Sequence, residues 1–132
     1  MKKDFKFNWI RENVNPEGRK TGDCVIRAVA TATGQTWHEA FDGLACVARG
    51  MCYPMGVPET VDVYLVSLGF KKVSLKVVKG ERRKTVRELA MECTSPAVLR
   101  AANHMVAADG NGNYVDTWCS GSKAVYCYWI KK

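Results

Sequence analysis

The chain has 132 residues, 47% of them apolar, which suffices for one domain with a real core and excludes wholesale disorder. No apolar run approaches the roughly 20 residues a bilayer demands, and the charged start, Met-Lys-Lys-Asp-Phe-Lys, has no apolar stretch behind it. No secretory signal and no membrane partner are therefore expected, and the expected setting is the cytoplasm. The net charge is +7, and short basic runs occur at Lys2-Lys3, Arg19-Lys20, Lys71-Lys72, Arg82-Arg83-Lys84 and Lys131-Lys132. Scattered in this way they read as solvated faces, and a nucleic-acid partner is not expected.

Residues 1–20 read as an extended arm and loop, with a turn at Asn15-Pro16-Glu17-Gly18. A helix is predicted from about Cys24 to Thr33, stopped by Gly34. It is apolar nearly all round, so it belongs in the middle of the domain. Thr36-Trp37-His38-Glu39 is a capping box that opens a second helix, running to about Arg49 and ending at Gly50. After a loop over 51–57, Pro58 suits the first turn of a third helix that continues to Leu68 and stops at Gly69.

Phe70 to Val78 alternates enough to be a strand, and Lys79-Gly80-Glu81 turns the chain. Thr85-Val86-Arg87-Glu88 is a second capping box, opening a short helix to about Glu92. Strands are predicted at 97–101, 104–108, 114–118 and 124–130. Helices first and an antiparallel sheet second is the α+β pattern. The expected organisation is one domain over 1–132: an arm to residue 20, a mainly helical part over 21–93, and an antiparallel sheet over 94–132.

Six cysteines, at 24, 46, 52, 93, 119 and 127, include no C-x2-C pair, and the chain holds only two histidines. Reduced thiols are expected, with neither a structural metal nor any cofactor. Cys24 stands out because it falls where a loop turns into the first helix. The free N–H groups and dipole of a first helical turn favour a thiolate. Gly22 permits a tight approach there, and Asp23 is placed to cap the helix, though its charge would oppose a nearby thiolate.

A thiolate nucleophile needs a base. His38 lies inside the first capping box and suits a surface role. His104 begins a strand, and Asp116 lies on the next one. A three-residue loop over 110–112 pairs 109 with 113, hence 106 with 116 and 104 with 118; a five-residue loop over 109–113 gives the same register. His104 and Asp116 then share a face as diagonal neighbours roughly 7–8 Å apart or less. A two-residue Asn-Gly turn would instead put Asp116 on the opposite face. Asp116 could fix the imidazole tautomer while the other ring nitrogen takes the proton of Cys24. Trp118, on the same face, could screen that bond from water.

The order Cys24, His104, Asp116 resembles the papain-like cysteine peptidase superfamily, and Asp116-Thr117-Trp118 is similar to that family's Asn-Ser-Trp. Over about residues 20–130 the chain also resembles small uncharacterised proteins of phages and gut bacteria, through Thr-Gly-Asp-Cys-Val, the Gly-Gln-Thr-Trp helix start, Asn-His-Met-Val-Ala and Asp-Thr-Trp. The resemblance implies a papain-like fold in which a central Cys-bearing helix packs on the sheet, with Cys24 as nucleophile, His104 as base and then acid, and Asp116 as orienter. The Gln that completes the family's oxyanion hole upstream of the Cys is absent; Asn13, Asn15 and Thr21 are the candidate substitutes. The expected function is hydrolysis of a peptide, isopeptide or amide bond in a protein or peptide substrate, with deamidase and acyltransferase chemistry open on the same triad. The alternative is a non-catalytic binding module on that fold, phage-encoded and directed at a host protein.

Overall fold

Capping boxes and left-handed residues set several of the helix ends. The computed structural model describes residues 7–131, so the first six residues of the predicted arm, with Lys2-Lys3, lie outside the described residues, as does Lys132. Helix α1 (Cys24–Thr33) closes on Gly34 in the left-handed region, φ 70°. Helix α2 (Trp37–Met51) opens on the Thr36–Glu39 capping box with both reciprocal bonds formed. It runs through the predicted stop at Gly50 and ends instead on Cys52, at φ 58°. That left-handed residue turns the Tyr53 N–H back to the Ala48 carbonyl at 3.1 Å, closing the last turn without glycine. Helix α3 (Pro58–Ser67) starts on its proline, and α4 (Val86–Glu92) opens on a complete Thr85–Glu88 capping box.

The architecture is α+β, and its six strands form one sheet. They are β1 (Trp9–Arg11), β2 (Phe70–Ser74), β3 (Ala97–Ala101), β4 (His104–Ala108), β5 (Tyr114–Asp116) and β6 (Val125–Lys131), in the spatial order β1-β5-β4-β3-β6-β2. The sheet is mixed rather than antiparallel throughout. Part of the arm is a strand: β1 pairs in parallel with β5, Trp9 opposite Tyr114 and Arg11 opposite Asp116. The pairing gives the open edge of β5 backbone partners, Tyr114 N–H to Asn8 at 2.9 Å and Glu12 N–H to the Asp116 carbonyl at 3.1 Å. Strand β2 stops at Ser74 rather than Val78, and β5 at Asp116 rather than 118. Beyond Asp116 the chain folds back so that Ser120 can reach the Asp116 carboxylate.

Both faces of the sheet are covered. Val29 and Ala30 of α1, Leu44 of α2 and Leu65 of α3 pack against Val98, Met105, Val115 and Trp129 on one face. Val86 and Leu89 of α4 pack against Leu99, Val106, Tyr114 and Val125 on the other. The near-continuous apolar character of α1 follows from its central place, with the sheet below and α2 beside it. Trp129 donates its indole N–H to Asp62 at 3.0 Å, tying α3 to β6. Among the described residues no helix is long and apolar enough to cross a membrane.

Candidate active site

The turn between β4 and β5 decides where Asp116 points. Asp109 organises that turn: its carboxylate accepts the N–H groups of Asn111 (2.7 Å) and Asn113 (3.1 Å) and the side-chain amide of Asn113 (3.0 Å). The Asp109 N–H meets the Asn113 carbonyl at 3.0 Å, and Ala107 and Ala108 lie opposite Val115 and Tyr114. This is the register that puts His104 and Asp116 on one face. Gly110 is required at φ 85°, and a Cβ there would lie 2.7 Å from the Ser95 backbone.

His104 Nε2 donates to Asp116 Oδ2 at 2.7 Å. The carboxylate is 2% exposed and takes three more donors: Ser120 Oγ at 2.6 Å, the Thr117 N–H at 2.7 Å and the Arg27 guanidinium at 3.2 Å. Burial alone would raise its pKa, but His104, Ser120 and Thr117 together hold it below the ordinary carboxylate range. Asp116 is therefore an acceptor at every physiological pH, which fixes the proton on Nε2 of a neutral His104 and leaves Nδ1 for another partner.

That partner is Cys24. Its thiol is half-buried at the start of α1, where the His104 side chain and the Met105 backbone N–H favour its charged form. Burial pushes its pKa up; the His104 bond, the Met105 N–H and the Arg27 charge more than reverse this, so the thiol ionises below its usual range. Burial likewise opposes charging His104, yet the Asp116 and Cys24 bonds raise its pKa to about 9. The two groups titrate as a pair, and both shifts act in the sense that favours thiolate beside imidazolium.

Arg27 and Asp23 extend the site inward. Asp23 holds the cap position of α1 but makes no side-chain cap bond. Its carboxylate instead accepts from Arg27 Nε (2.8 Å), Asn15 Nδ2 (3.0 Å) and the Trp37 indole (2.9 Å). Arg27 spans Asp23 and Asp116, so a partly buried cation offsets two buried carboxylates. Neither Arg27 nor Ser120 emerged from the sequence. The available signal was Arg27 itself, the one charged residue in an apolar helix and four residues after Asp23.

The sulfur opens onto a cleft of about 380 Å³ whose lining includes Gly56, Val57, Arg100, Asn103, His104 and Met105. None of the three predicted substitutes for the oxyanion glutamine reaches it. The Asn13 amide donates to the Arg19 carbonyl at 3.1 Å, the Asn15 amide is taken by Asp23, and Thr21 lines a neighbouring hollow. The side-chain amide that lines the cleft is that of Asn103, at φ 52°. Trp118 packs on His104 with ring centres 5.0 Å apart but is 44% exposed, so it shields one side of the ring rather than joining the core. His38 lies exposed on α2 against Trp37. All six thiols are free, and among the described residues no three metal-ligating side chains gather. Comparison with protein-family models, curated proteins and solved structures found no match.

Proposed function

We propose that this chain is a cytosolic thiol hydrolase of papain-like arrangement, acting on a peptide, isopeptide or amide bond. The observation that carries the reading is the convergence of Cys24 and His104 on one cleft, with the His104 ring bonded to Asp116 at 2.7 Å, assembled from a helix start and two strands. The free thiols suit a reducing compartment.

The Cys24 thiolate attacks the carbonyl carbon, and the carbonyl π pair moves onto oxygen. The N–H of Cys24, one of the loose donors of the first turn of α1, serves that oxyanion, and Asn103, which lines the same cleft, supplies a second donor. Collapse breaks the C–N bond as imidazolium Nδ1 gives its proton to the leaving amine. The resulting thioester is resolved when neutral His104 takes a proton from water, hydroxide adds to the carbonyl, and the carboxylic acid leaves with the thiolate regenerated. Asp116 keeps the ring aligned throughout without taking the proton.

The test is residue-resolved alkylation by iodoacetamide across pH. Cys24 is expected to react selectively, with an apparent pKa well below 8; six equally sluggish thiols would overturn the proposal. A second reading, a non-catalytic binding module on the same fold, is favoured by the commitment of Asn13 and Asn15 elsewhere. Accumulation of a substrate-derived acyl adduct on Cys24 in peptide pools, seen as a mass increase and cleared by hydroxylamine, decides against that module.

A further inference from the structure

Arg100 is a charge on the apolar side of a strand. It shares one face of β3 with buried Val98, and its cross-strand neighbours are Met105 and Cys127, both buried beneath α1 to α3. Strand alternation calls for an apolar side chain there. The register between β3 and β6 shifts between Arg100 and Ala101, leaving Tyr126 as the extra residue of a bulge. The guanidinium lies 6.0 Å from the Tyr126 ring, and the residue stands half-buried in the wall of the Cys24 cleft. Among the described residues no carboxylate pairs with it. Holding a cation partly out of water without a counter-ion is costly unless an anion arrives to meet it.

A second hollow, of about 430 Å³, lies across the segment that carries the nucleophile. Gly22 and Cys24 line the cleft, whereas Thr21 and Asp23 line this hollow. Arg11, Arg19, Lys20 and Trp118 complete it, and among the described residues none of these three cations has a carboxylate partner. Asp23 and Arg27 bond each other, so the hollow keeps a net positive lining. Cations therefore line both the Cys24 cleft and the hollow formed by the residues next to it in sequence.

We infer that the substrate of Cys24 is an acidic polypeptide segment: one carboxylate pairs with Arg100 beside the reacting bond, and others lie along Arg11, Arg19 and Lys20. The inference rests on the thiol-hydrolase reading. A single cation among Val25, Val57 and Pro58 fits a carboxylate carried on a polypeptide. A nucleic-acid strand would call for an aromatic side chain within the cleft to take a base, and among the described residues no Phe, Tyr or Trp lines it.

The test uses the full chain as Cys24→Ala, so binding is read without turnover. Fluorescent peptide pools rich in glutamate are compared with matched glutamine pools by anisotropy. The glutamate pool is expected to bind at least about tenfold more tightly, with the margin shrinking as salt rises. Arg100→Gln is expected to remove most of that margin and Arg100→Lys to restore part of it, while Lys79→Gln on a distant turn leaves it intact. If Arg100→Gln melts early, the exposed triple Arg11→Gln, Arg19→Gln, Lys20→Gln carries the test, with an expected loss of about threefold or more. Equal binding of the two pools, or a margin indifferent to these substitutions, overturns the inference. So does a single-stranded oligonucleotide that displaces the glutamate pool at lower concentration. Failure of the hydrolase reading shows separately, as slow alkylation of wild-type Cys24 with the peptide margin unchanged.

Discussion

Two cysteines sit at opposite kinds of helix end on opposite faces of one sheet. Cys24 is the first residue of α1, and Cys93 is the C-terminal cap of α4. Burial pushes both thiols toward the neutral form. At Cys93 nothing answers it, and the charge of Glu92 adds to the push, so that thiol stays protonated above its usual range. At Cys24 an imidazole, a backbone N–H and a guanidinium reverse it. The helix dipoles act in the same senses, favouring negative charge at the start of α1 and opposing it at the end of α4. Partial burial thus does not decide a thiol's character; the direction of the helix and the donors around the sulfur do.

The most direct attempt to break this contrast is competitive alkylation at pH 6. Cys24 should react about 1000-fold faster than Cys93, combining thiolate fraction with access. Comparable rates would erase the contrast. Next, His104→Gln should move the Cys24 thiol back toward the ordinary cysteine range and slow its alkylation at pH 6 by about 100-fold. The same variant tests a pH signature. Because the ring pKa is raised from 6.5 to about 9, its share of stability is full below about 6.5 and lost as pH rises through about 9. The lowered Cys24 thiol contributes with the opposite sign, growing as pH rises. Thermal melts of the wild type should therefore decline between about pH 6.5 and 9, and those of His104→Gln should lack that decline.

Arg27→Met sharpens the comparison from the side of the carboxylates. It leaves Asp23 and Asp116 without their shared cation and should cost about 3 kcal/mol in urea unfolding, while raising the Cys24 alkylation pKa by less than His104→Gln does. A smaller loss, about 2 kcal/mol, is expected for Gly110→Ala, which strains the turn that sets the register of Asp116. The smallest effect belongs to an exposed ion pair. Lys84 and Glu92 meet at 2.8 Å with about half of each side chain in water, and Lys84→Met should move the thermal midpoint by no more than about 2 °C. A larger shift would mean that exposed and buried pairs on this chain do not differ as argued.

Much of this arrangement was readable in the residues. Capping boxes at Thr36 and Thr85 and the glycine at 34 are local signals with local causes, and helices begin or end on them. The hairpin register was readable too, because alternation makes the face of Asp116 depend only on loop length. What escaped depended on distant partners. β1 is three residues long with no alternation to betray it; it exists because β5 offers an open edge. That α4 covers the opposite face of the sheet from α1 is invisible in any single segment. Asp23 looked like a cap because its position is one, but Arg27, Asn15 and Trp37 outbid the helix N–H groups for its oxygens. The amides of Asn13 and Asn15 went to the loop for the same reason: short polar side chains are captured by the nearest backbone and acid.

The latch that β1 makes on β5 also bears on how the molecule comes into being on the ribosome. Trp9 donates to the Asp116 carbonyl across 107 residues of chain, and Arg27 reaches the Asp116 carboxylate across 89. Contacts so remote in sequence close late. While translation is under way Cys24 has neither its ring nor its acid, and a nascent chain displays no more than an ordinary cysteine. A thiolate is favoured at that position only once β4 and β5 have closed on α1.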